Sequence, residues 1–103
     1  MMQGDSYGLP IEILNSEKAV VTPDDVSDVE ITIGSLRKSY ADGEVIFSTE
    51  AEKWVVPLTQ EETFSLRPGR VRVQLRVKRK NGEVEGFDLG SKNIFESISK
   101  EVL

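Results

Sequence analysis

Between Arg67 and Lys80 the chain carries seven of its 13 basic residues, and four of them, Arg70, Arg72, Arg76 and Lys78, recur at even spacing. Residues two apart in an extended backbone share one face, so these four side chains project together as a cationic stripe. A stripe of this kind can dock an acidic protein, or bind single-stranded nucleic acid when aromatic side chains interleave to stack on the bases. No aromatic residue interleaves here. The net charge of −5 also has the wrong sign for general phosphate neutralisation. The stripe therefore reads either as a partner-binding protein surface or as a solvated strand face neutralised by Glu83, Glu85 and neighbouring carboxylates, which is the simpler reading.

Other groupings point to chemistry less strongly. Asp24, Asp25, Asp28 and Glu30 supply the hard oxygens that calcium favours, but the EF-hand spacing is absent, and Asp24 and Asp25 suit the start of a helix. Glu61 with Glu62, or Glu83 with Glu85, would have to face each other across a sugar to act as a glycosidase pair. Adjacent glutamates diverge, and Glu83 and Glu85 share a strand face. Trp54, Tyr40 and Phe47 could form a sugar-stacking platform if exposed together, although a single tryptophan in a small sandwich more often anchors the core.

Histidine and cysteine are both absent. Without histidine there is no Ser-His-Asp triad and no imidazole ligand for a transition metal; without cysteine there is no thiolate chemistry and no disulfide. The residues therefore favour a non-enzymatic protein that needs no cofactor and acts through protein contacts, with itself as one candidate partner. Neither nucleic acid nor a membrane is expected as a partner.

A chain of 103 residues, 38% hydrophobic and 30% charged, matches one globular domain over residues 1–103, with residues 1–8 and 99–103 as its loosest parts. No apolar run approaches the roughly 18 residues that cross a bilayer, and Met1 to Pro10 lacks the pattern of a signal peptide, so cytoplasmic synthesis is expected.

Period-two alternation predicts a strand over Leu9 to Leu14 and another over Val29 to Ile33. Asp42-Gly43 predicts a tight hairpin between Leu36 to Tyr40 and Glu44 to Phe47. Thr22-Pro23-Asp24-Asp25 predicts one helical turn. Lys53 to Leu58 reads as a strand whose Pro57 suits its end or an edge. Thr59 and Glu62 have capping-box spacing, which predicts a helical turn pinned to the core by Phe64 and Leu66.

Arg70 to Arg79 alternates most clearly, and Asn81-Gly82 predicts a type I′ turn into a strand from Glu83 to Leu89. A two-residue loop sets Lys78 against Glu85 but Leu75 against Asp88, a mismatch that a bulge at Gly86 would repair. A last strand is expected to reach about Ile98. Ile11, Ile13, Val29, Ile31, Ile33, Trp54, Val71, Val73, Leu75, Val77 and Val84 form the expected core. About seven short strands with one or two single-turn helices predict an all-β sandwich of immunoglobulin-like topology.

The segment Leu66-Arg67-Pro68-Gly69-Arg70-Val71-Arg72-Val73-Gln74-Leu75 resembles the corner that enters a late strand in immunoglobulin-like modules. The wider order is similar to the N-terminal β-sandwich of siphophage upper-baseplate proteins: Ile11 to Leu14, the Val21-Thr22-Pro23 turn, Val29 to Ile33, and Asp88-Leu89-Gly90 before Ile94. Trp54 to Leu75 also resembles small proteins of phage and prophage structural-gene clusters. The resemblance implies a virion or tail-associated structural protein that assembles in the bacterial cytoplasm. Val71 stands where many such corners place a tyrosine. Two further functions fit a small β-sandwich: a carbohydrate- or surface-binding module, and a cytoplasmic inhibitory or regulatory protein.

Overall fold

Alternating apolar residues bury one face of each strand, and two such faces must meet to form a core. A computed structural model describing residues 1–103 shows this arrangement as seven strands and one short helix. The elements are β1 (Tyr7–Ile11), β2 (Val26–Ile33), β3 (Leu36–Ser39), β4 (Ile46–Ser48), β5 (Lys53–Leu58), α1 (Gln60–Ser65), β6 (Gly69–Arg79) and β7 (Val84–Ile94). All pairings between these strands are antiparallel, in sheets ordered β1-β5-β4 and β3-β2-β6-β7.

These orders match the B-E-D and C′-C-F-G strands of the immunoglobulin sandwich. Residues 1–103 contain no full-length counterpart of strand A. In its place Met2 forms an isolated parallel bridge with Phe95, after which the chain turns at Gly4, with φ +86°, towards β1. Gln3, expected in a loose end, is buried, and its side-chain amide donates to the Leu66 carbonyl at 2.9 Å.

The register brings apolar residues together in pairs. Leu9 faces Val56 and Ile11 faces Trp54 in one sheet, while Val29 faces Val77, Ile31 faces Leu75 and Ile33 faces Val73 in the other. All ten are buried in one continuous cluster. Burying each such aliphatic side chain contributes about 1.5–3 kcal/mol.

α1 has the expected capping box: the Thr59 hydroxyl accepts from the Glu62 amide, and the Glu62 carboxylate accepts from the Thr59 amide. Leu66 is buried as expected. Phe64 is only half-buried, and Thr63 is the helix's buried residue. The Thr63 hydroxyl accepts from the Gly4 amide and donates to the Asp5 carbonyl, both at 2.9 Å. The helix is thereby joined to the turn before β1.

Several expectations are corrected. Thr22 to Asp25 forms a turn closed by Asp25, whose carboxylate accepts from the Thr22 amide, so no second helix forms. Asp42-Gly43 carries the chain between sheets, from β3 to β4, while the tight hairpin lies at Gly34-Ser35, where Ile33 faces Leu36. Pro57, by contrast, sits next to the end of β5 as expected, beyond the residues Lys53 to Val55 that pair with β4, so its missing N–H faces no neighbour on that side. Val84, expected in the core, is 51% exposed.

Lys80 to Glu83 connect β6 to β7, but the Arg79 amide donates to the Glu83 carbonyl at 2.8 Å, which leaves a three-residue loop, with Gly82 at φ +91° and its amide donating to the Arg79 carbonyl at 2.9 Å. The extra residue shifts the register by one, setting Leu75 against Phe87 with no bulge at Gly86. The irregularity falls farther on, opposite Arg72 to Gln74, where Gly90 at φ +82° absorbs one additional residue. β7 therefore continues through Gly90 and ends at Ile94, short of Ile98.

Candidate functional site: a charged face and an open apolar groove

Arg70, Arg72, Arg76 and Lys78 lie together on the exposed outer face of β6, as their spacing requires. Two of the four charges are matched. Arg72 pairs with Asp88 on β7, and Arg76 approaches Glu30 on β2 at 3.6 Å. Glu30 also accepts from Arg37 at 2.6 Å, so one carboxylate joins β3, β2 and β6. Lys78 faces Val84 rather than Glu85, because of the three-residue loop, and Glu85 accepts from Arg79 at 2.7 Å instead. Arg70 and Lys78 remain outside any ion pair, so the face is a charge mosaic with two free cations.

Of the acidic cluster, Asp25, Asp28 and Glu30 each have partners of their own. Asp28 accepts from the amides of Val29 and Ala41 and from the Ser39 hydroxyl. Partial burial is the largest single influence on its carboxyl and opposes ionisation, but those hydrogen bonds together hold it below the usual carboxylate range. Glu62 is likewise penalised first by burial, yet Lys38 and Thr59 keep its carboxyl below its ordinary value. Nowhere do three or more carboxylates gather as a metal site.

Trp54 is fully enclosed. Its Nε1 donates to the Val21 carbonyl at 2.9 Å, and Tyr40 and Phe47 meet it edge-on, both with ring centroids 5.2 Å away. The three aromatics support the interior and form no sugar platform.

The more distinctive feature lies where β1 and β7, the edges of opposite sheets, fail to close over the core. Two adjoining depressions of about 230 and 220 Å³ form one groove there. Leu9, Ile11 and Ile13 line one wall, Val73 and Leu75 the floor, and Phe87 and Leu89 the other wall. Phe87 and Leu89 are 38% and 43% exposed. Glu12, Asp88 and Lys92 mark the rim, and neither Glu12 nor Lys92 is ion-paired. The groove occupies the position of strand A, beside strand B and strand G of the immunoglobulin order.

β7 also presents a backbone edge. Ten of its 11 residues are exposed, and it contains no proline. The other sheet edges are short or blocked: β3 has four residues, β4 has three, and β1 has five with Pro10 among them. Sequence reasoning missed this site because it placed Asp88, rather than Phe87, opposite Leu75. The signal that could have found it was the i, i+2 pair Phe87 and Leu89.

No protein-family model matches the chain, and no curated protein or solved structure matches it. No helix is long and apolar enough to cross a membrane.

Proposed function

We propose that this chain is a non-enzymatic assembly module that acts through protein–protein contacts at the β1–β7 side of the sandwich. The observation that carries this reading is the apolar groove beside an 11-residue edge strand with no blocking proline. Natural sheets blunt long edges with charges, bulges or covering segments; β7 has a bulge at Gly90 and the inward charges Glu85 and Lys92, yet leaves Phe87 and Leu89 exposed beside the groove. A structural role in a phage or prophage tail or virion, assembled in the host cytoplasm, is the setting implied by the sequence resemblance of the wider strand order and of Trp54 to Leu75. The charge mosaic of Arg70, Arg72, Arg76 and Lys78 serves as a secondary, ionic surface through its two unpaired cations. The carbohydrate-binding alternative lacks similar support, because Trp54 is buried.

The test is a photo-reactive amino acid at position 89 in cells assembling the particle, with position 61 on α1 as control. Adducts at position 89 with this chain itself or with other tail components are expected. Equal labelling at both positions, or adducts confined to one host protein outside the particle, would overturn the assembly reading; the second result would favour an inhibitor.

A further inference from the structure

We infer that the occupant of the open groove is β7 of a second copy, paired antiparallel with β7 along its free edge across a two-fold axis. This inference rests on the assembly reading and names the partner. β7 is bonded to β6 on one side, while on the other Met1 to Gln3 bond to Phe95 and the Met1 ammonium donates to the Asn93 carbonyl at 3.3 Å, at the strand's end. The edge from Val84 to Lys92 is therefore open to another strand. A strand added there lies in the vacant strand-A position and covers the apolar wall formed by Phe87 and Leu89.

The charges favour a copy of the same strand. Glu85 faces Val77 and Lys92 faces Val71, so both lie on the inward side of the sheet. An antiparallel arrangement centred between Asp88 and Leu89 places Glu85 of each copy opposite Lys92 of the other. The relation is reciprocal, as a two-fold interface requires. In this register Asp88 stands opposite Leu89 of the other copy at the irregularity beside the axis, where it is neutralised by Arg72 of its own chain and accepts from its own Gly90 amide, so the new ladder runs on the two arms flanking the axis, Glu85 to Phe87 against Gly90 to Lys92. Glu85 also keeps its intrachain bond to Arg79, so the new pair extends a network already present. Joining the two four-stranded sheets gives one eight-stranded sheet.

The experiment combines light scattering of the purified full chain over a wide concentration range with amide hydrogen exchange at its two extremes. The expected result is a monomer of 11.5 kDa giving way to a dimer, with slower exchange within residues 84–92 as dimer forms. Lys92→Glu should weaken dimerisation roughly tenfold, because two like-charged pairs replace two opposite ones. The double reversal Glu85→Lys with Lys92→Glu should return it to within about threefold of the original, as coupled neighbours do. Unchanged thermal unfolding of the monomeric variants confirms that they remain folded.

A monomer throughout, a dimer whose β7 amides exchange no more slowly, or failure of the double reversal to restore association would overturn the inference. A monomer that still forms tail-component adducts at position 89 would overturn the self-pairing alone and leave the assembly reading standing.

Discussion

Replacing Trp54 with phenylalanine tests whether the polar end of the indole, as well as its bulk, holds the two sheets together. Trp54 is fully buried, and its N–H is donated to the carbonyl of Val21, itself buried in the connection between β1 and β2. Phenylalanine removes the donor and leaves that carbonyl unpaired, at a cost of about 1–3 kcal/mol. The smaller ring also gives up part of the edge-on contacts with Tyr40 and Phe47, where each aromatic pair is worth about 0.5–1.5 kcal/mol beyond its area. Together these losses amount to about 3 kcal/mol, a large fraction of the roughly 5–15 kcal/mol that stabilises a domain. For a chain near this size the melting temperature should fall by on the order of 10–20 °C. Trp54 is the sole tryptophan, so urea unfolding must be followed by circular dichroism rather than fluorescence. A loss below about 1 kcal/mol at unchanged m-value would refute the reasoning, because a buried orphan carbonyl cannot be that inexpensive.

The depressed carboxyls of Asp28, Glu62 and Asp88 mean that the unfolded chain binds more protons in acid than the folded one. Their stabilisation is complete above the ordinary carboxylate range and is lost as pH falls through the folded values; Glu62→Gln should flatten the decline between roughly pH 5 and 3 in acid titration of unfolding. Gly4→Ala should destabilise more than Gly43→Ala by denaturant titration. Both have positive φ, costing about 1 kcal/mol each, but a Cβ at Gly4 meets Phe64 Cζ at 2.7 Å while one at Gly43 meets nothing within 4 Å. Glu30→Gln should cost about 1 kcal/mol in the same assay by weakening the links to Arg37 and Arg76, whereas Arg70→Ala with Lys78→Ala should change stability by less than about 0.5 kcal/mol.

Strong alternation made the sandwich legible: the inward faces Val29, Ile31, Ile33 and Val73, Leu75, Val77 follow from period two, whereas the register that sets them against one another comes from the structure. The capping box at Thr59 was equally readable, because it depends on residues three apart. What failed depended on partners distant in sequence. Asp42-Gly43 has hairpin composition, but β3 before it pairs with β2 and β4 after it pairs with β5, in opposite sheets, so the turn became a crossover. Asn81-Gly82 was recognised as a turn, yet its loop length was decided by which register turns Phe87 towards the core side. The charged stripe was correctly placed on one face. Its neutralisation by Glu30 and Asp88 was hidden, since neither carboxylate is the one that a two-residue loop would place there.

β7 puts only Ile94 into the interior, and the rest of the strand is secured by its ladder to β6 and by the Arg72–Asp88 and Arg79–Glu85 pairs. Detaching the strand as far as Ile94 uncovers the partly exposed Phe87 and Leu89 and the β6 residues beneath them but leaves the β1, β2 and β5 core packed, so that opening requires less free energy than melting the sandwich. A protease that cuts after Lys80 should therefore find its substrate in the intact molecule, while the sites between β2 and β5 wait for global unfolding. The molecule has a sacrificial margin, and whatever covers that margin sets its lifetime among proteases.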